Sequence, residues 1–457
     1  MFDRRINRQV LISGLTPLET TRELVFSARC QSVVFVVFKD GICTVHGPWG
    51  QSPAYETCES LAIDSGATLA AYRVRHRHKC FISVNREAHP DFSWVSDPKV
   101  SPDGKIVAYF GEPILGNRER GLDEIALVIN GATQEAFHRS GHIAFTPSGK
   151  FFYSAQYGDA QYINFAEKRL GPFDTVYQPI LIGDTNDVCF WVRNGNKWSI
   201  FKNADVIDKG DDGTPDRRVG WSEDGKSIAY WIKHNNQWFV GVNGHLKPAL
   251  GEPLRYVGGP VMGKSGNVGY CVRLKDSVCA VVNEQPGEPF ENVGQIVFSP
   301  DENNYAYMAQ RDGKLFLVRD GKRGRPYEPM WSKVFEEPGT LDNMPSFNPM
   351  GKDVACVIRQ GSRQYVSVND ELIGPFIWIC GAPRFAACGT LVFGAVSLEK
   401  QEFVFVGKEK YGPFMRVWSP LTCAYYSSIW SPCFADGKLV FAARDGTTLS
   451  LYTLPVP

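Results

Sequence analysis

The chain has 457 residues with 49 basic and 49 acidic side chains, so its formal charge is zero and no overall field draws it to nucleic acid or anionic lipid. Aromatic residues make up 13%, and 44 glycines and 29 prolines punctuate short runs of Val, Ile, Phe, Tyr and Trp, a strand-and-turn composition that points to an all-β protein. The first residues, Met-Phe-Asp-Arg-Arg-Ile-Asn-Arg, carry no apolar export core, and nowhere do roughly 18 apolar residues run together, so a cytoplasmic protein without a membrane partner is expected.

In chain order, Arg8 to Ser13 (Arg-Gln-Val-Leu-Ile-Ser) reads as a strand with no partner nearby. A repeating unit then begins at Val25-Phe26-Ser27 and runs into the apolar stretch Ser32 to Phe38. Next comes the basic cluster Arg75-His76-Arg77-His78-Lys79-Cys80. Two histidines and a thiol suggest zinc or copper, but two ligands do not close a structural site, and the cluster aligns with a polar hairpin, so no metal is expected. The sharpest copy of the repeat follows, Ser101-Pro102-Asp103-Gly104-Lys105 with the strand Ile106 to Phe110.

Weathered copies of that turn stand at Thr146 to Lys150, Ser222 to Lys226, Ser299 to Glu302, Asn348 to Lys352 and Ala435 to Lys438. With the turn residue as anchor (Gly66, Gly104, Gly149, Thr185, Gly225, Gly266, Glu302, Gly351, Gly389, Gly437), the spacing averages about 41 residues, that of a four-stranded propeller blade. With the poorer N-terminal copy this makes about eleven units.

Residues 219–257 show one unit whole. Val219 to Ser222 reads as the first strand, Glu223 to Lys226 as a tight turn and Ser227 to Ile232 as a second strand apolar on both faces, as a strand between neighbouring blades must be. Lys233 to Gln237 reads as a hairpin, Trp238 to Val242 as the third strand, and a fourth is expected around Leu254 to Val257. The third-to-fourth connection carries Gly171-Pro172-Phe173, Gly374-Pro375-Phe376 and Gly412-Pro413-Phe414, with looser copies at Glu288-Pro289-Phe290 and Arg325-Pro326-Tyr327. There proline would open an edge strand and the aromatic would pack between blades.

The combination of Ser-Pro-Asp-Gly-Lys, an Ala-Tyr strand, a Val-Val-x-Asn/Asp-Gly hairpin and Gly-Pro-aromatic resembles the WD40-like repeats of TolB-type bacterial β-propellers. The resemblance covers the chain from about residue 24. It departs from true WD40 repeats in having no Trp-Asp dipeptide, and from TolB in lacking a secretory signal and an evident N-terminal α/β domain. It implies a fold and leaves function open.

The last unit, Cys433 to Tyr452, supplies three strands, so residues 1–24 are expected to contribute the strand that completes it, closing the propeller and covering two sheet edges. The repeat region, residues 25–457, fits either two propellers divided near 215–260 or one wide ring; base rates favour two.

Chemistry is hard to find in the motifs. Asp208, Asp211, Asp212 and Asp216 crowd one loop without the alternating spacing of a calcium site. Lys322-Arg323-Gly324-Arg325 and Arg4, Arg5 and Arg8 are short basic patches without stacking aromatics, so no nucleic-acid partner is expected. Twelve irregularly spaced cysteines, among them Cys80, Cys189, Cys271, Cys279 and Cys356, read as buried free thiols. Hydrolase-elbow, metalloprotease, P-loop and dinucleotide signatures do not occur.

The expectation is a non-catalytic, cofactor-free scaffold that binds another protein, an enzyme or effector encoded separately. Its anchors would lie in the two longest connections: Trp331, Phe335, Trp418, Tyr425, Tyr426 and Trp430. The alternative is an enzyme or small-molecule binder using the central channel.

Overall fold

A computed structural model describes residues 7–13, 15, 20–114, 125–165, 168–211, 218–254, 259–328, 344–418 and 433–456. Among them there is no helix, and every strand belongs to one of eleven antiparallel sheets, each a propeller blade, with the strands in sequence order in all but the last. Blades 1 to 10 span residues 20–51, 57–88, 94–137, 139–173, 175–210, 219–248, 252–286, 292–327, 346–376 and 378–414. Blade 11 combines residues 416–455 with the N-terminal strand Asn7–Ile12. The chain divides into two compact units, one of Thr16–Lys209 and one of Met1–Leu15 with Gly210–Pro457.

Blade 6 shows how sequence becomes structure. Its strands are Val219–Trp221, Ile228–His234, Gln237–Val242 and His245–Pro248. Asn235 and Asn236 take φ of +47° and +64°, the two left-handed residues of a hairpin whose twist matches its strands. Arg77 and His78 do the same in blade 2, so the histidine cluster is such a hairpin. The fourth strand is not at Leu254 to Val257. Asn243-Gly244 reverses the chain directly after Val242, so His245 already pairs back on it, while Glu252–Pro253 opens blade 7.

Seven blades share a device at that reversal. Asn85, Asn130, Asn203, Asn243, Asn283, Asp320 and Asn369 sit at φ near +50°, and each side chain turns inward. There Oδ1 accepts the N–H that opens the second strand of its own blade, as from Ile228 to Asn243 at 2.9 Å and from Tyr305 to Asp320 at 2.8 Å. Asn and Asp are the side chains that both tolerate this backbone and reach its donor. Each such bond contributes about 1 kcal/mol net, and more is at stake if the donor is left unpaired.

The Ser-Pro-Asp-Gly turns close by the same economy. Ser101 Oγ donates to Asp103 at 2.7 Å and accepts the Ile106 N–H at 2.9 Å, with Gly104 at φ +71°. Ser222 and Ser299 repeat the pattern. Glu302 takes the glycine position of its turn at φ +55° and sends its carboxylate to the preceding blade, where Ser265 N–H donates at 3.0 Å.

The core is a series of layers between consecutive blades. The second strands are buried on both faces, with Trp191, Tyr230, Trp231 and Tyr307 fully enclosed. The aromatics after Gly-Pro behave as expected: Phe376 and Phe414 are buried between blades 9 and 10 and blades 10 and 11, and Phe173 packs between blades 4 and 5. The Gly-Pro motif itself lies at the end of the fourth strand (Lys168–Phe173, Glu371–Phe376, Glu409–Phe414) and does not open it. A register shift opposite the motif leaves the proline no ladder bond to miss.

Blade 11 is completed from the other end of the sequence. Asn7–Ile12 pairs antiparallel with Thr448–Pro455, and Arg8 Nε donates to Ser450 Oγ at 3.0 Å while its guanidinium lies 5.8 Å from the Tyr452 ring centre. Cys80, Cys189, Cys271, Cys279 and Cys356 are buried free thiols, and burial pushes those of Cys189 and Cys356 up to about 12.

Candidate functional site

Most first strands are interrupted. They break in two in blades 3, 5, 7, 8 and 11 and shift register in blades 1, 2, 4 and 10. An interruption turns side chains and peptide groups out of the sheet, which makes these segments the places where polar chemistry gathers.

In the unit Thr16–Lys209 the interruptions are joined by charge. Ser60, at φ +57°, bulges out of blade 2, and its N–H and that of Leu61 donate to the Glu23 carboxylate of blade 1 at 3.1 and 3.0 Å. Ser60 Oγ donates to Asp97 Oδ1 of blade 3 at 2.6 Å. Arg73 spans the pair, 2.7 Å from Glu59 and 3.0 Å from Asp97. With Asp97 held by both Arg73 and Ser60, this serine–carboxylate pair joins blades 2 and 3.

The interruptions of blades 3, 4 and 5 border an open cleft of about 570 Å³, which Asp97 also lines. Lys99, His142 and Gln178 line it over an apolar wall that includes Val100, Ile143 and Leu181. His142 is set there because Gly141 lets the strand close on Ser154, whose hydroxyl accepts the His142 N–H at 2.9 Å; a Cβ at Gly141 would meet that hydroxyl at 2.3 Å. The surrounding chain and then the Lys99 ammonium lower the His142 pKa, so the imidazole is neutral at pH 7. Asp97 and Lys99 both line the cleft, so it carries side chains of both signs.

A second feature belongs to the unit containing Gly210–Pro457. Antiparallel order places the second-to-third hairpins and the links between successive blades at one end of the blades. At that end Leu250, Met344, Leu398 and Met415 are 50%, 40%, 46% and 59% exposed. Each is a single exposed apolar side chain, and Met350, 64% exposed, lies at the opposite end in the turn between the first two strands of blade 9.

Of the anchors expected from sequence, Trp331, Phe335, Tyr425, Tyr426 and Trp430 lie outside the described residues. Trp418 ends the short strand Arg416–Trp418 and pairs with Ala442 in blade 11. Met344 and Met415, which the sequence reading passed over, stand close to the same two connections.

The other candidates resolve as structure. His76 sets its ring edge-on to Tyr55 at 5.9 Å, and His78 is the exposed hairpin tip. Among the described residues no three His, Cys, Asp or Glu side chains stand together as a metal site, and Asp212 and Asp216 lie outside those residues. Lys322, Arg323 and Arg325 lie on the fourth strand of blade 8. Arg323 reaches Glu288 at 3.0 Å and Arg325 reaches Asp370 at 3.5 Å, so this basic patch stitches blades 7, 8 and 9. Arg4 and Arg5 lie outside the described residues.

The sequence reading missed Lys99, His142 and Gln178. Their one signal was position, each falling in the short stretch before or within a first strand. No helix among the described residues is long and apolar enough to cross a membrane.

Neither a protein-family profile nor a curated protein sequence matches the chain. Solved structures do. The chain is similar to a eukaryotic initiation factor (10% identity, TM-score 0.41, 96% of this chain and 100% of that one) and to the Dos1 propeller (9%, 0.34, 98% and 96%). It is also similar to the propeller domain of the Trilobed protease from Pyrococcus furiosus (12%, 0.26, 70% and 100%). The blades themselves define the class of protein: a β-propeller built of four-stranded repeats.

Proposed function

We propose that this protein is a non-catalytic binding scaffold of the WD40-like, TolB-type kind, acting in the cytoplasm and holding a separately encoded enzyme or effector. The observation that carries the reading is the apolar set Leu250, Met344, Leu398 and Met415 at one end of the blades. Leu398 and Met415 flank blade 10 at that end, where Met415 N–H is bonded to Arg444 O at 2.8 Å, so the side chain is presented by fixed backbone. Methionine and leucine on a rigid edge suit a partner's apolar face, since ordering costs little further entropy.

The test is purification of the tagged full chain from its own cells, beside the double variant Leu398→Glu/Met415→Glu. A stoichiometric protein retained by the wild type and lost by the variant is the expected result. Recovery of the wild type alone, or a partner that survives both charges, overturns the proposal.

A further inference from the structure

We infer that Asn194 is a site of self-catalysed deamidation, with Asp174 as the base that assists attack of the Gly195 nitrogen on the Asn194 carboxamide. The site belongs to the unit Thr16–Lys209 and does not depend on the proposed partner surface.

Three Asn-Gly pairs occur in the chain, at Asn130, Asn194 and Asn243. Glycine leaves the following nitrogen unhindered, so these are the asparagines most prone to close a succinimide ring. The fold treats them differently. Asn130 and Asn243 sit at φ of +49° and +48°, and each carboxamide is anchored to the second strand at both ends. Oδ1 accepts the Val107 N–H at 2.8 Å or the Ile228 N–H at 2.9 Å, and Nδ2 donates to Lys105 O or to Ser227 Oγ, both at 3.0 Å. At Asn243 the next nitrogen is occupied as well, since the Gly244 N–H donates to the Tyr230 hydroxyl at 3.1 Å.

Asn194 ends the second strand of blade 5, exposed, with Asp174 beside it. Asp174 Oδ2 accepts the Gly195 N–H at 2.6 Å. The Asp174 N–H, shared with Arg193 O at 3.0 Å, donates to Asn194 Oδ1 at 3.1 Å. A carboxylate therefore sits on the proton that the attacking nitrogen must lose, and a backbone donor on the oxygen that must take up negative charge.

Elsewhere the same contact is only a cap. Glu56, His138, Glu291 and Glu328 accept the corresponding hairpin N–H, that of Arg77, Gly158, Asp312 and Gly361, in blades 2, 4, 8 and 9. The residue before that N–H is His76, Tyr157, Arg311 or Gln360 in those blades, and asparagine in blade 5 alone of the five. As the Gly195 nitrogen bonds to Asn194 Cγ, its proton passes to Asp174. That proton then goes to Nδ2, the Cγ–Nδ2 bond breaks and ammonia leaves. Water, which reaches this exposed hairpin, opens the succinimide to aspartate or isoaspartate and is the one co-reactant consumed.

The experiment incubates the folded full chain at mildly alkaline pH and follows all three pairs by peptide mass spectrometry with isoaspartate detection. Asn194 should deamidate at least about tenfold faster than Asn130 or Asn243. Asp174→Asn, which keeps the backbone donor and removes the base, should slow Asn194 about threefold or more and leave the other two unchanged. Asp174→Glu, which copies the acceptor of blades 2, 8 and 9, should keep most of the rate. The ranking of the three pairs in the wild type needs no variant to fold. Asn130 or Asn243 reacting as fast as Asn194 overturns the inference, as does an Asp174→Asn protein in which Asn194 reacts at the same rate or faster, the result a purely structural cap would give.

Discussion

Replacing Glu402 with glutamine should leave the protein as stable as before or more so at neutral pH, while Glu402→Ala should damage it. Glu402 lies on the third strand of blade 10, and its Oε2 accepts the Val417 N–H of blade 11 at 2.8 Å. The same position in blade 4 holds Gln161, which accepts from Val176 at 2.7 Å, and in blade 9 Gln364, which accepts from Ile379 at 2.7 Å. The interruption of the next blade's first strand leaves an N–H without a sheet partner, and a side-chain oxygen fills it. An amide suffices for that, so the negative charge of Glu402 is dispensable. Burial raises its pKa, against the opposing effects of the Val417 N–H and Arg416.

The sign then follows from linkage. Because the folded-state pKa lies above the unfolded value of about 4.3, protonated Glu402 favours the fold below that pH, and the contribution is lost as pH rises through the folded-state pKa. Glutamine has no such loss. Urea unfolding of both variants at pH 4.5 and pH 7 should show the glutamine form gaining on the wild type as pH rises. Glu402→Ala orphans the Val417 donor and should cost about 1–3 kcal/mol, with further loss from the packing it removes. A glutamine variant as damaged as the alanine one, or a wild-type-to-glutamine difference that does not change with pH, would refute the reasoning.

Four further outcomes are expected. Asn243→Ala removes the acceptor of Ile228 N–H and puts alanine at φ +48°, so urea midpoints should fall by the equivalent of about 2–3 kcal/mol, whereas Asn243→Asp, which copies Asp320, should cost less than about 1 kcal/mol. Gly220→Ala would set a Cβ 1.8 Å from the Pro260 carbonyl oxygen, backbone against backbone, and should destabilise by about 3 kcal/mol or prevent soluble expression. Arg8→Ala loses the Ser450 bond and the Tyr452 ring contact, and limited proteolysis should then release residues 1–15 sooner than in the wild type. His46, His89 and His142 all titrate below the ordinary histidine value, chiefly from burial, so this part of the stability is complete above about pH 6.5 and falls away on acidification; His46→Gln should blunt the drop in melting temperature between pH 7 and pH 5.5.

The blades were legible because their determinants are local. A Ser-Pro-Asp-Gly turn closes within six residues, as Ser101 and Ile106 show, and its glycine and serine are required by the backbone they build. The pairing of Asn7–Ile12 with Thr448–Pro455 could be inferred because blade 11 was visibly short of a strand. The fourth strand of blade 6 was misplaced because proline and glycine near 251–260 look like turn punctuation, while the decisive reversal is the plain Asn243-Gly244 pair. The polar cleft was invisible for another reason. Lys99, His142 and Gln178 are about 40 residues apart, one to a blade, and meet only through the stacking of blades. In each single repeat a lysine, a histidine or a glutamine at that place looks like ordinary surface.

The bond between Arg8 and Ser450 spans 442 residues of sequence. At a synthesis rate of about 5–20 residues per second, the first strand waits on the order of half a minute or more for Thr448–Pro455 to be made. Throughout that interval it is an edge without a sheet, and a chain interrupted at any point before residue 448 retains a free strand that a protease or a chaperone can recognise. Blade 11 thus depends on two segments made at widely separated times.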